Sequence, residues 1–380
     1  MMKKINTGIY IHIPFCESRC HYCDFCSSII DKNQVGKYFK YLKKEIMLYD
    51  ELLKNRIIDT IFIGGGTPSS VDEKYIGDLF DLLNRYEIKS DAEITIETNP
   101  NSLTLTKANA YKSFGINRIS IGAQSFNDKI LKTIGRIHTK KQIYKAVENA
   151  NKANINNINI DLMSSLPQQK FKDIENSLDE IKKLNPTHIS YYSLILEENT
   201  KLFEMYQHDD SPFIGEITDR KMYHYIVEKL RDMNYEQYEI SNFAKDGYKC
   251  RHNIRYWKLK DYISFGMSSS SNIENLRYTN SSNFNDYYSF IDKNKKPITF
   301  SETLSIQDRI NEFIIMGIRL NDGVNIEEIN KRFNIDFENL YKYELDKNIL
   351  NGLVEKNKYN IKLTSKGRDL SNQVELDFLK

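Results

Sequence analysis

The eight residues from Cys16 to Cys23, CESRCHYC, constrain this chain more than any other stretch. They follow the apolar run Gly8-Ile9-Tyr10-Ile11-His12-Ile13-Pro14-Phe15, which reads as a β-strand, so a CxxxCxxC loop hangs on a strand end. Three thiolates at this spacing can each take one corner of an iron-sulfur cubane, whereas the common ferredoxin run supplies four. One iron then stays open for a further ligand. Zinc is the competing reading, with Cys26 or His21 completing a tetrahedral set, but zinc sites usually come as two separated CxxC-like pairs. Four of the chain's five cysteines crowd into this short segment. Clustered thiols without a secretion signal argue for a metal in a reducing compartment rather than for disulfides.

With 380 residues the chain can bury a full-sized core and still carry a smaller second unit. Lys and Arg (54) nearly balance Asp and Glu (52), and the net charge of +2 gives no bulk electrostatic case for nucleic acid or an anionic membrane. No apolar run approaches the roughly 20 residues of a membrane span. The start, Met1-Met2-Lys3-Lys4-Ile5-Asn6, lacks the apolar core of a secretion signal, so a cytoplasmic protein is expected.

Short β-branched runs alternate with helix-length amphipathic stretches through the first half, the pattern of repeated βα units around a parallel sheet. Strands are expected at Gly8–Ile13, Thr60–Ile63, Glu93–Glu97, Arg118–Gly122, Asn157–Leu162 and Thr187–Leu194, with helices at Val35–Leu53, Asp72–Leu83, Thr139–Ala153 and Asp173–Leu184. Six such units predict an α/β fold, an open partial (β/α)6 barrel whose functional residues gather at the carboxyl ends of the strands. The second strand runs into Gly64-Gly65-Gly66-Thr67-Pro68, where the lack of side-chain bulk lets a ligand approach the backbone. A tight βα turn would read the same way. The third strand ends at Glu97, the fourth leads to Gln124, the fifth reaches Asp161, and Arg136 lies between the last two. Singly, each is an ordinary solvated strand end or helix cap. Together they set a carboxylate, an amide, a guanidinium and a second carboxylate around one rim, which suits a zwitterionic, ribose-bearing ligand.

These segments resemble the radical S-adenosylmethionine (radical SAM) superfamily, and within it the branch shared by the oxygen-independent coproporphyrinogen III oxidases and the HemW heme chaperones. The resemblance is carried, in order, by Tyr10-Ile11-His12-Ile13-Pro14-Phe15-Cys16, Phe62-Ile63-Gly64-Gly65-Gly66-Thr67-Pro68, Ile96-Glu97-Thr98-Asn99-Pro100, Gly115 to Phe126, Gly135-Arg136-Ile137-His138 and Tyr235 to Phe243. It implies a 4Fe-4S cluster on Cys16, Cys20 and Cys23, with S-adenosylmethionine on the open iron. Tyr10 and Tyr22 would lie beside them, Gly65, Gly66 and Thr67 would face the methionine end, and Glu97, Gln124, Arg136 and Asp161 would surround the rest of that cofactor.

Three features resemble the chaperone side of the branch. The oxidase motif continues as CxC, but Phe25 stands at the position of its further cysteine and Cys26 is one step displaced. The cluster strand begins a few residues after Met1, so the oxidase's amino-terminal arm is expected to be missing. Finally, Cys250-Arg251-His252-Asn253-Ile254-Arg255-Tyr256-Trp257 contains HNxxYW, the chaperones' heme-binding signature. It implies heme at His252, Asn253, Tyr256 and Trp257: imidazole suits heme iron, and the two aromatic rings offer flat apolar surface. A polar His beside an aromatic anchor is the plainer reading of such a string, and Cys250 is an alternative soft ligand. Two departures stand out: the family's Tyr-Gly before Leu-Pro is Ser164-Ser165 here, and its Gly-Pro-Gly-Ala-His-Ser is Gly266 to Ser271, without the histidine.

The expected function is binding of heme and its transfer to an acceptor hemoprotein, without nucleic acid and with a heme- or cluster-dependent dimer left open. The alternatives are radical decarboxylation of coproporphyrinogen III in porphyrin biosynthesis, and another radical enzyme or a scaffold whose cluster is structural. The domains expected are a radical SAM core over residues 1–235, a heme-motif and connecting region over 236–300, and a small helical domain over 301–380. In the last, helices at Ile306–Leu320, Ile326–Phe333 and Phe337–Asn348, a hairpin of Gly352–Val354 with Tyr359–Leu363, and a final helix from Thr364 make a winged-helix-like unit. A DNA-binding winged helix would call for a basic excess that the chain lacks.

Overall fold

A computed structural model describes residues 4–380. Met1–Lys3, on which part of the reading of the start rests, lie outside the described residues. Six parallel strands form the frame: β1 (Ile5–Ile13), β2 (Arg56–Gly65), β3 (Ile88–Thr98), β4 (Arg118–Gln124), β5 (Asn157–Ser164) and β6 (His188–Ser193), side by side in that order. Each crossover carries a helix, among them α1 (Lys32–Met47), α2 (Glu73–Leu83), α3 (Leu105–Ser113), α4 (Lys140–Lys152) and α5 (Phe171–Leu184). The alternation of the strands explains the layering. Ile9, Ile11, Ile13, Ile61, Ile63, Ile96, Ile119, Ile121, Ile158 and Ile160 point outward and pack with Phe39, Leu42, Leu79, Ile143 and Ile181 of the helices in one buried core. The intervening residues, Tyr10, Thr60, Phe62, Glu93, Glu97, Arg118, Ser120, Asn159, Asp161 and His188, are left to fill the inside of an open barrel.

The frame is wider than the six strands expected. After α6 (Glu216–Asp232) come β7 (Glu236–Gln237) and β8 (Asn242–Ala244), which extend the sheet antiparallel beyond β6. A helix of seven residues, α7 (Arg251–Trp257), leads into β9 (Tyr262–Phe265), which pairs in parallel with β1, Gly8 opposite Tyr262. Strands β10 (Ser270–Ile273), β11 (Leu276–Asn280) and β12 (Ile298–Thr303) continue antiparallel to give a sheet of twelve strands. The segment 236–300 therefore builds both edges of the central sheet. These strands are only two to six residues long, so any period-2 signal in them is too brief to announce a strand.

The expected helix Val35–Leu53 is broken. It stops at Met47 and resumes as Asp50–Lys54, because Tyr49 leaves the helical conformation and buries its ring edge-on against Phe265 at 5.3 Å. Ser165, standing where the family has glycine, has φ +60°, and its hydroxyl donates to the Asp219 carboxylate at 2.5 Å. Gly266 sits at φ +98° in the β9–β10 connection, where a Cβ would come within 2.4 Å of the Tyr38 hydroxyl, so only glycine fits.

The buried members of a second hydrophobic cluster all come from residues 310–378, with Leu259 of the preceding region packed against them. Ile310, Phe313, Ile314 and Ile318 of α8 (Ile306–Ile318) and Ile329 of α9 (Ile326–Phe333) pack on Phe337, Tyr341, Leu363 and Phe378. The hairpin forms between Val354–Lys356 and Asn360–Leu363, joined on its far side by Val324–Asn325. Among the described residues no helix is long and apolar enough to cross a membrane.

Candidate cofactor cavity

The carboxyl ends of β1 to β6 open into a cavity of about 310 Å³. Cys16, Cys20 and Cys23 line one side of it, with Tyr22 between them, and Gly65, Gly66, Thr67, Glu97, Gln124, Arg136 and Asp161 line the others. Eleven of the residues singled out from sequence thus converge on one space, although they are spread over the whole frame. Tyr10 does not reach the cavity: it is buried below it in the barrel, hydroxyl 3.1 Å from His12 Nδ1. Asn99, Gly122, Met163 and Tyr192 also line the cavity. Tyr192 was legible in principle, since it shares the inward parity of His188 and Ser190 on β6.

The cysteine loop is held by both flanks. Thr67 Oγ1 donates to Cys16 Sγ at 3.5 Å, Arg136 Nη1 donates to Cys20 Sγ at 3.4 Å, and His21 is tied to the Thr133 carbonyl at 2.9 Å. All five thiols are free of disulfides. Burial pushes the Cys23 thiol up to about 11 and raises Cys16 as well, so the deprotonated ligand form calls for compensating positive charge in the cavity. Cys26 does not line the cavity; its Sγ faces the Ser282 carbonyl at 3.8 Å, and its backbone carbonyl is bonded to His12 Nε2 at 2.8 Å. Among the described residues, no three His, Cys, Asp or Glu side chains converge on a single-ion position.

The opposite side is polar and charged. Burial first, and then the neighbouring Asp161, push Glu97 up to about 8, and burial raises Asp161 although Asn159, Ser190 and Ser120 hydrogen-bond to it. Two buried carboxyls poised this way can, on losing a proton, face a ligand carrying an ammonium or sulfonium, and can bond ribose hydroxyls in either state. Arg136 donates to Asn99 Oδ1 at 2.7 Å and to the Gly122 carbonyl, while its buried Nε finds no partner. Gly65 has φ +109°, and a Cβ there would meet the His12 ring at 2.5 Å. A Cβ on Gly66 would strike the Phe15 backbone at 2.8 Å. The residues present therefore fit both groups: three cysteines for a cluster, and an orphaned guanidinium nitrogen, paired carboxyls and bare backbone for a small zwitterion.

HNxxYW lies elsewhere. β9 pairs with β1 in parallel, which brings the preceding α7 to the amino end of the barrel, beneath the cavity. The Glu93 carboxylate accepts from the amides of Arg251 and His252 at 3.0 and 2.9 Å and from Cys250 Sγ at 3.5 Å. His252 is fully buried. Its Nδ1 is 2.8 Å from Thr60 Oγ1 and its Nε2 is 2.8 Å from the Tyr256 hydroxyl, and burial drives its pKa down to about 3. Neither ring nitrogen is free for iron in this arrangement. Asn253, Tyr256 and Trp257 are half-buried, and the Arg319 guanidinium lies over the Trp257 ring at 5.1 Å. The segment that lacks the family's histidine, Gly266 to Ser271, packs instead on buried Glu45, whose carboxylate accepts from the Gly266 amide at 2.8 Å and from Asn280 Nδ2 at 2.6 Å.

The chain is similar to known proteins over most of its length. Residues 10–181 match the Radical SAM superfamily and residues 304–370 match the HemN C-terminal domain. The heme chaperone HemW of Bacillus subtilis (strain 168) is 33% identical over 372 residues, covering 97% of this chain and 98% of the relative. The protein of that name from Escherichia coli (strain K12) is 36% identical over 280 residues, 72% of each chain. The solved structure of coproporphyrinogen III oxidase (HemN) from Escherichia coli superposes with a TM-score of 0.89 at 22% identity over 100% of this chain and 91% of that one, a likeness of fold. With relatives named heme chaperone HemW at 33% identity over nearly its whole length and the Radical SAM match over residues 10–181, the chain belongs to the HemW family of the radical SAM superfamily.

Proposed function

We propose that this protein is a heme chaperone that binds heme as cargo and hands it to an acceptor hemoprotein, while Cys16, Cys20 and Cys23 hold a 4Fe-4S cluster and the adjoining cavity holds S-adenosylmethionine. The observation that carries the reading is the full-length similarity, at 33% identity over 97% of this chain, to a protein named heme chaperone HemW. Glu97 and Asp161 would take the cationic and ribose groups of S-adenosylmethionine, and Arg136 its carboxylate. The redox chemistry available to the pair belongs to the cluster and the cofactor, and the chain orients and shields them.

His252 is the proposed heme ligand, with Asn253, Tyr256 and Trp257 around it. Because its nitrogens are occupied by Thr60 and Tyr256, ligation requires α7 to withdraw from the barrel. A single experiment separates this reading from the oxidase: purified, anaerobically reconstituted protein is titrated with hemin by absorbance and assayed in parallel for conversion of coproporphyrinogen III. Saturable hemin binding without turnover is the expected result. Turnover without hemin binding would return the oxidase reading.

A further inference from the structure

The heme-motif helix and the cofactor cavity share a support. His252 and Tyr256 stand one turn apart on α7 and both project into the barrel. The His252 ring lies against Phe62, centroids 5.3 Å apart and planes at 28°. Phe62 stacks in turn on Tyr10 at 6.3 Å and 27°. The Tyr10 hydroxyl meets His12 Nδ1 at 3.1 Å, and His12 Nε2 reaches the Cys26 carbonyl at 2.8 Å, at the foot of the cysteine loop. On the other side Phe62 adjoins Glu97: a Cβ at Gly64 would come within 3.0 Å of the Phe62 ring and 2.7 Å of the Glu97 carboxylate. One packed column therefore runs from His252 to a cavity carboxyl and to the cluster loop.

That column sets two demands on α7 that cannot be met at once. With α7 in place, Phe62 and Tyr10 are stacked on His252 beneath the cavity, beside Glu97, and His252 has no free nitrogen. With His252 on iron, α7 has left the barrel and the column has lost its base. Resting on the heme reading above, we propose that heme ligation at His252 and S-adenosylmethionine binding in the cavity are antagonistic, with α7 as the element for which they compete. Linkage makes the effect reciprocal: each ligand weakens the other by the same factor. Thr60 sets the balance, since its hydroxyl holds His252 Nδ1 without touching the cavity.

The test uses full-length protein with its cluster reconstituted. Hemin affinity is measured by absorbance with and without saturating S-adenosylmethionine, and S-adenosylmethionine affinity by calorimetry with and without hemin. Each ligand is expected to raise the other's Kd by the same factor, within the roughly 5- to 150-fold span of typical couplings. Thr60→Val is expected to tighten hemin and loosen S-adenosylmethionine, opposite signs that a general loss of structure would not produce. Equal affinities in the presence and absence of the partner ligand would overturn the proposal, as would parallel weakening of both ligands in Thr60→Val. Wild-type hemin affinity in His252→Ala would overturn it while leaving the chaperone reading intact, and absence of hemin binding by the wild type would remove both.

Discussion

At the residue scale, the cavity works through side chains held away from their ordinary ionisation. Glu97, pushed up to about 8 by burial and then by Asp161, is protonated in the empty cavity at neutral pH and must lose that proton to face a cation. S-adenosylmethionine affinity is therefore expected to rise with pH up to about 8 and to level off above it, with proton release visible as a buffer-dependent binding enthalpy. The sign for stability is the reverse. A carboxyl raised in the folded state favours folding below its ordinary value of 4.5, and that contribution is lost as pH climbs through about 8. Glu97→Gln is accordingly expected to leave the empty protein more resistant to heat at pH 8 and above while weakening the cofactor. The thiols divide as sharply. Cys20→Ala removes a cavity-lining sulfur next to Arg136 and is expected to abolish iron and sulfide uptake on anaerobic reconstitution. Cys26→Ala, whose Sγ faces a carbonyl outside the cavity, is expected to retain both. Cysteine spacing made these residues legible, but the coupling of Glu97 to Asp161 was not, because a separation of 64 positions in sequence says nothing of the distance between two strand ends.

At the scale of elements, α7 decides how the molecule joins its two ends. The helix is short, so its stability comes from its partners rather than from propensity. Glu93 satisfies its first amides, and Arg255 forms a buried ion pair with Asp59 while donating to the Asp261 carbonyl at 2.8 Å. The two paired side chains are only 3% and 14% exposed. Arg255→Ala would leave the Asp59 carboxylate uncompensated and is expected to lower unfolding stability by about 3–5 kcal/mol in urea titrations, with replacement of both partners by apolar residues recovering much of the loss. Sequence patterns located the six frame strands because each alternates between an isoleucine-rich outer side and a polar inner one. They missed the break at Tyr49, where helical periodicity runs on but a buried ring demands a turn, and they missed β9, whose alternation spans only four residues and is too brief to stand out.

For the whole molecule, what the sequence determined by itself is the local chemistry: three thiols on a strand end, a glycine turn, polar residues at successive strand ends, and a helical unit whose buried core residues all come from 310–378. Such features are readable because each is written in a few consecutive residues or in a short period, and a parallel barrel sends all its strand ends to one face. Only the tertiary structure decided where HNxxYW goes. As a string it reads as a heme ligand with aromatic neighbours. Folded, it stands beneath the cofactor cavity with His252 against Thr60, 192 residues away, because β9 returns beside β1 and carries α7 to the amino end of the barrel. Burial, the occupation of both imidazole nitrogens and the stacked column toward Glu97 all follow from that return. Strand order is a property of long-range pairing, and no window of the sequence contains it.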